Sequence, residues 1–380
     1  MVTISTDFEC GNGKNIEQVA DGRFRMEVDA CLQESYCVYW CFEVANEGPA
    51  REVTVELWED QRFGGPTGFH VFFPSTVWIQ PEGLDRYRPL HETAPEWHGD
   101  HIVIALNLPE NGKLRCAMTY VAPCSFTSAG LRGFAEERPD RCELFSIGES
   151  VQGRDIVGLR AGTPGKPKVL CIAGQHPHEH AGVWAEQGIA DFMSSMVPAA
   201  AALREHLDVW IIPNVNPDGN VLGRNAFTSE PHNMCRAFDD EPDADEPTHK
   251  ESLLLWRWAT EHMPALWVNF HCYTGWQGNS EYPYDGWYEV DDRSIYTDAK
   301  QRLVYDAICD TMRLMTDGPS THEQACHHNH ASLCHQLAKR HDIPHAFYEI
   351  NVATAGRHAA ARRGIGVFRQ VAETLLHYTG

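Results

Sequence analysis

Four short stretches of the chain place a residue capable of chemistry at or just beyond an apolar run. They are His176 and Glu179 in Ala173-Gly174-Gln175-His176-Pro177-His178-Glu179-His180, Asn216-Pro217-Asp218-Gly219, His271 in Val268-Asn269-Phe270-His271, and Glu349 in Phe347-Tyr348-Glu349-Ile350. The preceding runs of Val, Ile, Leu and aromatics read as buried strands. In an open α/β sheet, ligands collect outside the carboxyl ends of the strands, so these groups can converge although they are far apart in sequence. Two imidazoles and one carboxylate suit a catalytic zinc with a fourth position left for water. Glu349 is then spare, and a carboxylate beside such a water has the chemistry of a general base.

The elements that must position these groups are legible from about Cys142 onward. Val169 to Ala173, Leu207 to Ile212, Leu266 to Phe270 and Ala346 to Ile350 read as buried strands with few charges. Between them Val183 to Met196, Glu251 to His262 and Asp298 to Met315 carry helical periodicity, as in Val304, Ile308, Met312 and Met315. A closing helix from about Val367 to Tyr378 puts Val367, Val371 and Leu375 on one face. His176 and Glu179 fall at the expected start of a helix, where a spacing of three points both side chains the same way. By itself HxxE is a weak signal in a chain with 21 histidines. His178 and His180 do not complete HExxH, which excludes the thermolysin-type arrangement.

Residues up to about Tyr120 have a different rhythm. Phe24–Asp29, Tyr39–Val44, Val53–Leu57, His101–Leu106 and Leu114–Tyr120 alternate between apolar and polar residues. Segments holding Gly, Pro, Asn and Asp separate them, a spacing that predicts a β-sandwich or small barrel. The boundary falls near Pro123 to Pro139, giving an N-terminal β-sandwich over residues 1–122 and an α/β domain over 123–380, with a mixed, largely parallel sheet flanked by helices.

With 380 residues and 43% hydrophobic content, the chain can bury a large core. Its formal net charge of −22 argues against nucleic acid, whose binding is driven by lysine and arginine displacing counterions. Any anion recognised here must be held by a local arginine cluster. Asp239-Asp240-Glu241-Pro242-Asp243-Ala244-Asp245-Glu246 reads as solvated loop surface. The first ten residues lack a basic region followed by an apolar one, and no apolar stretch spans a bilayer. Thirteen cysteines, an odd number without CxxC pairs, read as reduced thiols. The expectation is a cytoplasmic protein without a membrane partner.

Order adds what the single motifs lack. Asn216-Pro217-Asp218-Gly219 is followed by Arg224 and then by Asn233-Met234-Cys235-Arg236. The series HxxE, NPDG, arginine, a DLNR-like motif, a strand-end histidine and a late glutamate resembles the zinc carboxypeptidases of the carboxypeptidase A family, from roughly Glu143 to the C terminus. Leu144 to Ile156 is similar to that family's opening segment. Phe8-Glu9-Cys10-Gly11-Asn12 resembles the FESGN opening of the cytosolic carboxypeptidase subfamily, whose members carry a β-sandwich ahead of the catalytic part.

The resemblance implies one zinc held by His176, Glu179 and His271, with Glu349 as general base and then acid. It implies Arg224 as oxyanion stabiliser and Arg236 as the grip on a substrate's terminal carboxylate. The substrate would be the C-terminal tail of a peptide or protein, with glutamate or aspartate as the favoured last residue. Arg357, Arg362 and Arg363 are the further candidates for an acid-binding pocket, against a reading as a solvated basic patch.

Three departures stand out. Cys235 replaces the asparagine of DLNR. No tyrosine lies between Tyr305 and Tyr348, where the family places one upstream of its glutamate. The run His322, His327, His328, His330 and His335 occupies that region instead, read as polar surface in preference to a second metal site. Cys272, next along the strand from His271, should face the opposite side and pack. Two other functions remain open to the sequence. One is a zinc amidohydrolase of N-acyl amino acids, similar to aspartoacylase or succinylglutamate desuccinylase; the other is a binding protein that keeps the fold without chemistry.

Overall fold

The computed structural model describes residues 1–30, 39–60, 76–273, 285–290, 292–315, 330–351 and 356–379. Two five-stranded sheets form the first part. One orders Val2–Ser5 (β1), Cys41–Asn46 (β4), Lys113–Ala117 (β10), Trp78–Pro81 (β6) and Arg88–Pro89 (β7) side by side. The other orders Lys14–Ala20 (β2), Arg23–Glu27 (β3), Arg51–Trp58 (β5), His101–Leu108 (β9) and Glu96–Trp97 (β8). Alternation decides which residues face in: Ile102, Ile104, Leu106 and Leu108 of β9 are buried, and the residues between them are not. Phe42 and Val44 of one sheet share a single apolar cluster with Val53, Val55 and Ile104 of the other, so the two sheets pack face to face as a sandwich. All five strands expected from alternation are present.

The second part is built on a seven-stranded sheet. Its strands are Glu143–Glu149 (β11), Asp155–Gly162 (β12), Lys168–Ala173 (β13), Asp208–Ile212 (β14), Leu266–Tyr273 (β15), Gly286–Tyr288 (β16) and His345–Asn351 (β17), in the order β11-β12-β14-β13-β15-β17-β16. The central four, β14, β13, β15 and β17, run parallel, and the edges are antiparallel. Helices cover both faces, as an apolar parallel sheet requires. Cys124–Glu137 (α1), His180–Ser194 (α2), Ala299–Met315 (α6) and Arg357–Thr379 (α8) pack on one side around Val268, Phe270 and Tyr348. Lys250–His262 (α5) and Leu333–His341 (α7) pack on the other around Trp267 and Phe347. Pro198–His206 (α3) and Pro217–Val221 (α4) flank β14. From β13 the chain passes to β14 on one side and then to β15 on the other. The strand order therefore reverses at β13, which opens a crevice at its carboxyl end.

Three differences from the sequence reading have local causes. The stretch from Pro123 to Pro139, read only as a boundary, holds a helix, α1: Pro123 is its N-cap, and the residue before Pro139 ends it. The closing helix starts at Arg357, ten residues before the expected start, because its buried stripe begins with Ala360 and Gly364, which carry almost no hydrophobic signal. The turn holding His176 and Glu179 is not helical, since Glu179 is the N-cap of α2, with φ −84° and ψ 58°.

One buried group creates a testable liability. Glu186 in α2 is fully buried, and neither carboxyl oxygen has a hydrogen-bond partner among the described residues. Burial pushes its pKa well above the usual carboxylate range. The folded state thus binds a proton that the unfolded state releases above about pH 4.3. Stability is full below that pH and is lost as pH rises toward the elevated folded value. Glu186→Gln is expected to raise the melting temperature at pH 8, by an amount worth roughly 1–3 kcal/mol, and to change it much less at pH 5. Equal shifts at both pH values in thermal unfolding would show that Glu186 is not protonated in the fold.

Candidate metal centre

The carboxyl ends of β13, β15 and β17 meet at one point. After Ala173 the chain turns sharply through Gly174 at φ +75°, where a side chain would crowd Asn214, so Gln175 and His176 swing across the sheet end. Asn216 stabilises this turn: its Oδ1 caps Gly219 N at 2.9 Å, and its Nδ2 donates to Gln175 O at 3.1 Å. Asp218 accepts from Ser150 Oγ, Gln152 N and Arg154, so the Asn216–Gly219 motif acts as a structural brace.

His176, Glu179 and His271 come together with all their candidate ligand atoms within 4.8 Å of one another, the only such cluster among the described residues. His176 Nδ1 is 2.8 Å from Glu179 Oε1. His271 Nδ1 and Glu179 Oε2 are buried and only 2.6 Å apart, yet among the described residues neither has a hydrogen-bond partner of acceptable geometry. Lone pairs held so close need a cation or a proton between them. The donor set of two imidazoles and one carboxylate fits one zinc ion.

Two residues that the sequence reading passed over set the imidazole tautomers. Asn233 Oδ1 accepts the Cys235 N–H at 2.9 Å, which identifies it as the amide oxygen, and it lies 3.1 Å from His176 Nε2. Gln175 Nε2 donates to Met234 O, so its Oε1 is the acceptor that faces His271 Nε2 at 3.2 Å and Asn269 Nδ2 at 2.9 Å. Both Nε2 atoms therefore carry protons, and both Nδ1 lone pairs point at Glu179. Such outer partners orient metal ligands and tune their basicity. The signal for both residues was adjacency alone: Gln175 precedes His176, and Asn233 opens the Asn-Met-Cys-Arg stretch.

Burial opposes ionisation of Glu179, but the flanking imidazoles of His176 and His271 outweigh it and hold the carboxyl below its usual range. Burial likewise lowers His271, against the pull of Glu179. Glu349 is the register partner of His271 across β15 and β17. Burial and the Glu179 charge push it well above the usual carboxylate range, while a hydrogen bond from Tyr288 pulls it down. Its Oε2 has no partner among the described residues. Tyr288 lies on β16, opposite Phe347, and so brings a phenol to Glu349 from an edge strand that precedes Tyr305 in sequence.

Cys235 is buried near Glu179 and Glu349, and its thiol is pushed well up by burial. Cys272 packs in the opposite cluster from His271, as expected from strand alternation. Arg224 follows α4 and makes no ion pair among the described residues, with its buried Nε unpartnered. Arg236 is half exposed and pairs with Asp239 at 2.6 Å.

The further arginines are engaged elsewhere. Arg357 donates to Asp85 and lies over Trp184. Arg363 pairs at 2.7 Å with Asp285, which also holds the Tyr348 hydroxyl. Tyr348 alternates with Glu349, so Arg363 belongs to the opposite face of the sheet, and Arg362 lines the same cavity as Arg363. His322, His327 and His328 lie outside the described residues, and His330 Nδ1 stands 3.4 Å from His335 Nε2.

A zinc carboxypeptidase (peptidase M14) family profile matches residues 127–341. The chain is 27% identical over 242 residues to cytosolic carboxypeptidase 6 of Mus musculus, covering 58% of this chain and 43% of that protein. It is 26% identical over 249 residues to cytosolic carboxypeptidase 2 of Danio rerio, covering 57% and 33%. The chain thus spans less than half the length of these curated relatives. A metallo-carboxypeptidase from Pseudomonas aeruginosa, in complex with (2-guanidinoethylmercapto)succinic acid, superposes with a TM-score of 0.80 at 20% identity, covering 98% of this chain and 100% of that one. A metallo-carboxypeptidase from Burkholderia cenocepacia superposes with a TM-score of 0.79 at 15% identity, covering 100% and 99%. At these identities the two structures establish a shared fold.

Proposed function

The chain belongs to the zinc carboxypeptidase family, and from that premise we propose that it is a metallocarboxypeptidase removing C-terminal residues from peptides or protein tails. The observation that carries this reading is the pairing of His271 with Glu349 on adjacent parallel strands, which sets a carboxylate beside the ligand cluster. When bound by His176, Glu179 and His271, zinc supplies Lewis acidity and lowers the pKa of a water it holds. Glu349 would accept a proton from the attacking water and deliver it to the departing amine. Tyr288 holds one of its oxygens, which leaves Oε2 for the proton.

Arg224, whose guanidinium has no carboxylate partner among the described residues, stabilises the oxyanion formed at the scissile carbonyl. Arg236 grips the terminal carboxylate of the substrate, which takes the place of Asp239. An exposed pair of that kind is worth roughly 1 kcal/mol or less, so displacing Asp239 costs little. In this reading residues 1–122 form the β-sandwich domain and residues 123–380 the catalytic domain. A cytoplasmic setting is supported by ten free, buried cysteines among the described residues, which suit a reducing compartment. No helix among the described residues is long and apolar enough to cross a membrane.

The test is incubation with a mixed peptide library, read by mass spectrometry with and without a chelator. Loss of single residues from C termini, abolished by the chelator, is expected; release of acyl groups from N-acyl amino acids with intact peptide ends would replace this reading. The finer part of the proposal is a preference for a terminal glutamate or aspartate. Peptides ending in glutamate are expected to be trimmed faster than matched peptides ending in leucine or lysine. Arg357 and Arg363 are engaged elsewhere and do not supply that preference; equal or faster release of leucine removes it and leaves the carboxypeptidase reading intact.

A further inference from the structure

The Phe8–Asn12 segment of the N-terminal sandwich reaches across to the loop that carries Arg224. Cys10 N donates to Val221 O at 3.1 Å, and Cys10 Sγ contacts Asn220 Oδ1 at 3.3 Å. Asn12 Nδ2 donates to Gly223 O at 2.8 Å. Tyr39 N donates to Asn225 Oδ1 at 2.7 Å. The residues immediately before and after Arg224 are thus both held by the first 40 residues of the chain. Gly223 has φ +62°, and a Cβ there would lie 2.2 Å from Gly11 O, so the two backbones meet at a distance only glycine allows.

Asn12 is itself locked. It is 3% exposed, its Oδ1 accepts Asp29 N at 3.0 Å, and its Nδ2 is shared between Asp29 O and Gly223 O. Tyr39 adds a second tie. Its hydroxyl donates to Cys10 O at 2.8 Å and accepts from His180 Nε2 at 3.3 Å. His180 directly follows Glu179, so one strap touches both the arginine loop and the start of the ligand-bearing helix.

We propose that Asn12, supported by Cys10 and Tyr39, is a positioning residue that fixes Arg224 for the reaction, so that the N-terminal sandwich is part of the catalytic apparatus. The inference rests on the reading of Arg224 as oxyanion stabiliser. A charge that stabilises a developing oxyanion must be held within a fraction of an ångström, and a misplacement of about 1 Å can cost 10²-fold. Within its own loop Arg224 is held only through backbone N–H groups, Arg224 N on Gly219 O at 2.9 Å and Gly223 N on Asn220 O at 3.1 Å; the strap adds a tie from outside to the Gly223 carbonyl and to the Asn225 side chain.

A double-mutant cycle on kcat and KM tests this, with zinc content measured on every variant. Arg224→Ala is expected to lower kcat about 10²-fold. Asn12→Asp keeps the bond from Asp29 N but turns a carboxylate toward two carbonyl oxygens. It is expected to lower kcat about tenfold with little change in KM and to leave zinc content at that of the parent. In the Arg224→Ala background the same substitution is expected to change kcat less than about twofold, because there is no longer an arginine to misplace.

An equal loss in both backgrounds, or a loss that tracks zinc, would overturn the proposal while leaving Arg224 in its role. Should Arg224→Ala itself retain parental kcat, the reading of Arg224 fails and the inference falls with it. If Asn12→Asp does not fold, Tyr39→Phe decides the matter. It removes only the hydroxyl, and with it the ties to Cys10 O and His180 Nε2; the expected result is a smaller drop in kcat at parental zinc content that again disappears in the Arg224→Ala background, and persistence of that drop refutes the strap.

Discussion

Replacing Glu349 with glutamine is expected to leave fold and zinc content unchanged while lowering kcat by about 10²–10⁴-fold. The amide preserves the shape of the side chain and can still accept a hydrogen bond from Tyr288, but it cannot take a proton from water. The fold should tolerate the change, because buried Glu349 makes no ion pair among the described residues and its Oε2 has no partner there for the amide to lose. A neutral amide there brings no new unpaired charge. Steady-state kinetics with a single C-terminal peptide substrate, together with metal analysis, check both halves of the expectation. Near-parental turnover would remove Glu349 from the proton path and shift attention to Tyr288.

His271→Ala is expected to strip the metal and, with it, activity. Loss of an outer hydrogen-bond partner alone costs about 10–100-fold in metal affinity, so loss of a direct ligand should cost more. His271 is also fully buried and stacks on Phe347 at 4.2 Å, so its removal leaves a cavity beside Glu179. The variant should therefore bind zinc weakly in a chelator competition and melt earlier than the parent even without metal. Retention of one zinc per chain at parental affinity would relocate the metal, with the histidine-rich run from His322 to His335 as the first place to look.

Much of the centre was readable because strands with apolar flanks announce themselves, and residues at their carboxyl ends inherit a shared location. That logic placed His176, Glu179, His271 and Glu349 together, and alternation correctly sent Cys272 to the other face. It failed where the signal was weak or two-sided. Small residues hid the first ten residues of α8, and the prolines at the two ends of α1 marked a boundary without revealing the helix between them. Arg357 and Arg363 were candidates for the pocket because they follow Glu349 closely, but Arg363 packs on the Tyr348 face and Arg357 turns to Asp85.

What the sequence determined by itself is the class of chemistry and the elements that carry it: two histidines, two glutamates and an arginine series in a fixed order on an α/β frame. Residue type and local period are one-dimensional properties, and they suffice for that. Only the tertiary structure decided which partner each group faces. The β15–β17 register sets Glu349 beside His271, amide oxygens from Asn233 and Gln175 select the imidazole tautomers, and an edge strand brings Tyr288 to Glu349. Asn12 meets Gly223 across 211 residues of chain. Such pairings arise because buried polar groups must find partners wherever packing delivers them, and no local pattern encodes which distant residue that will be.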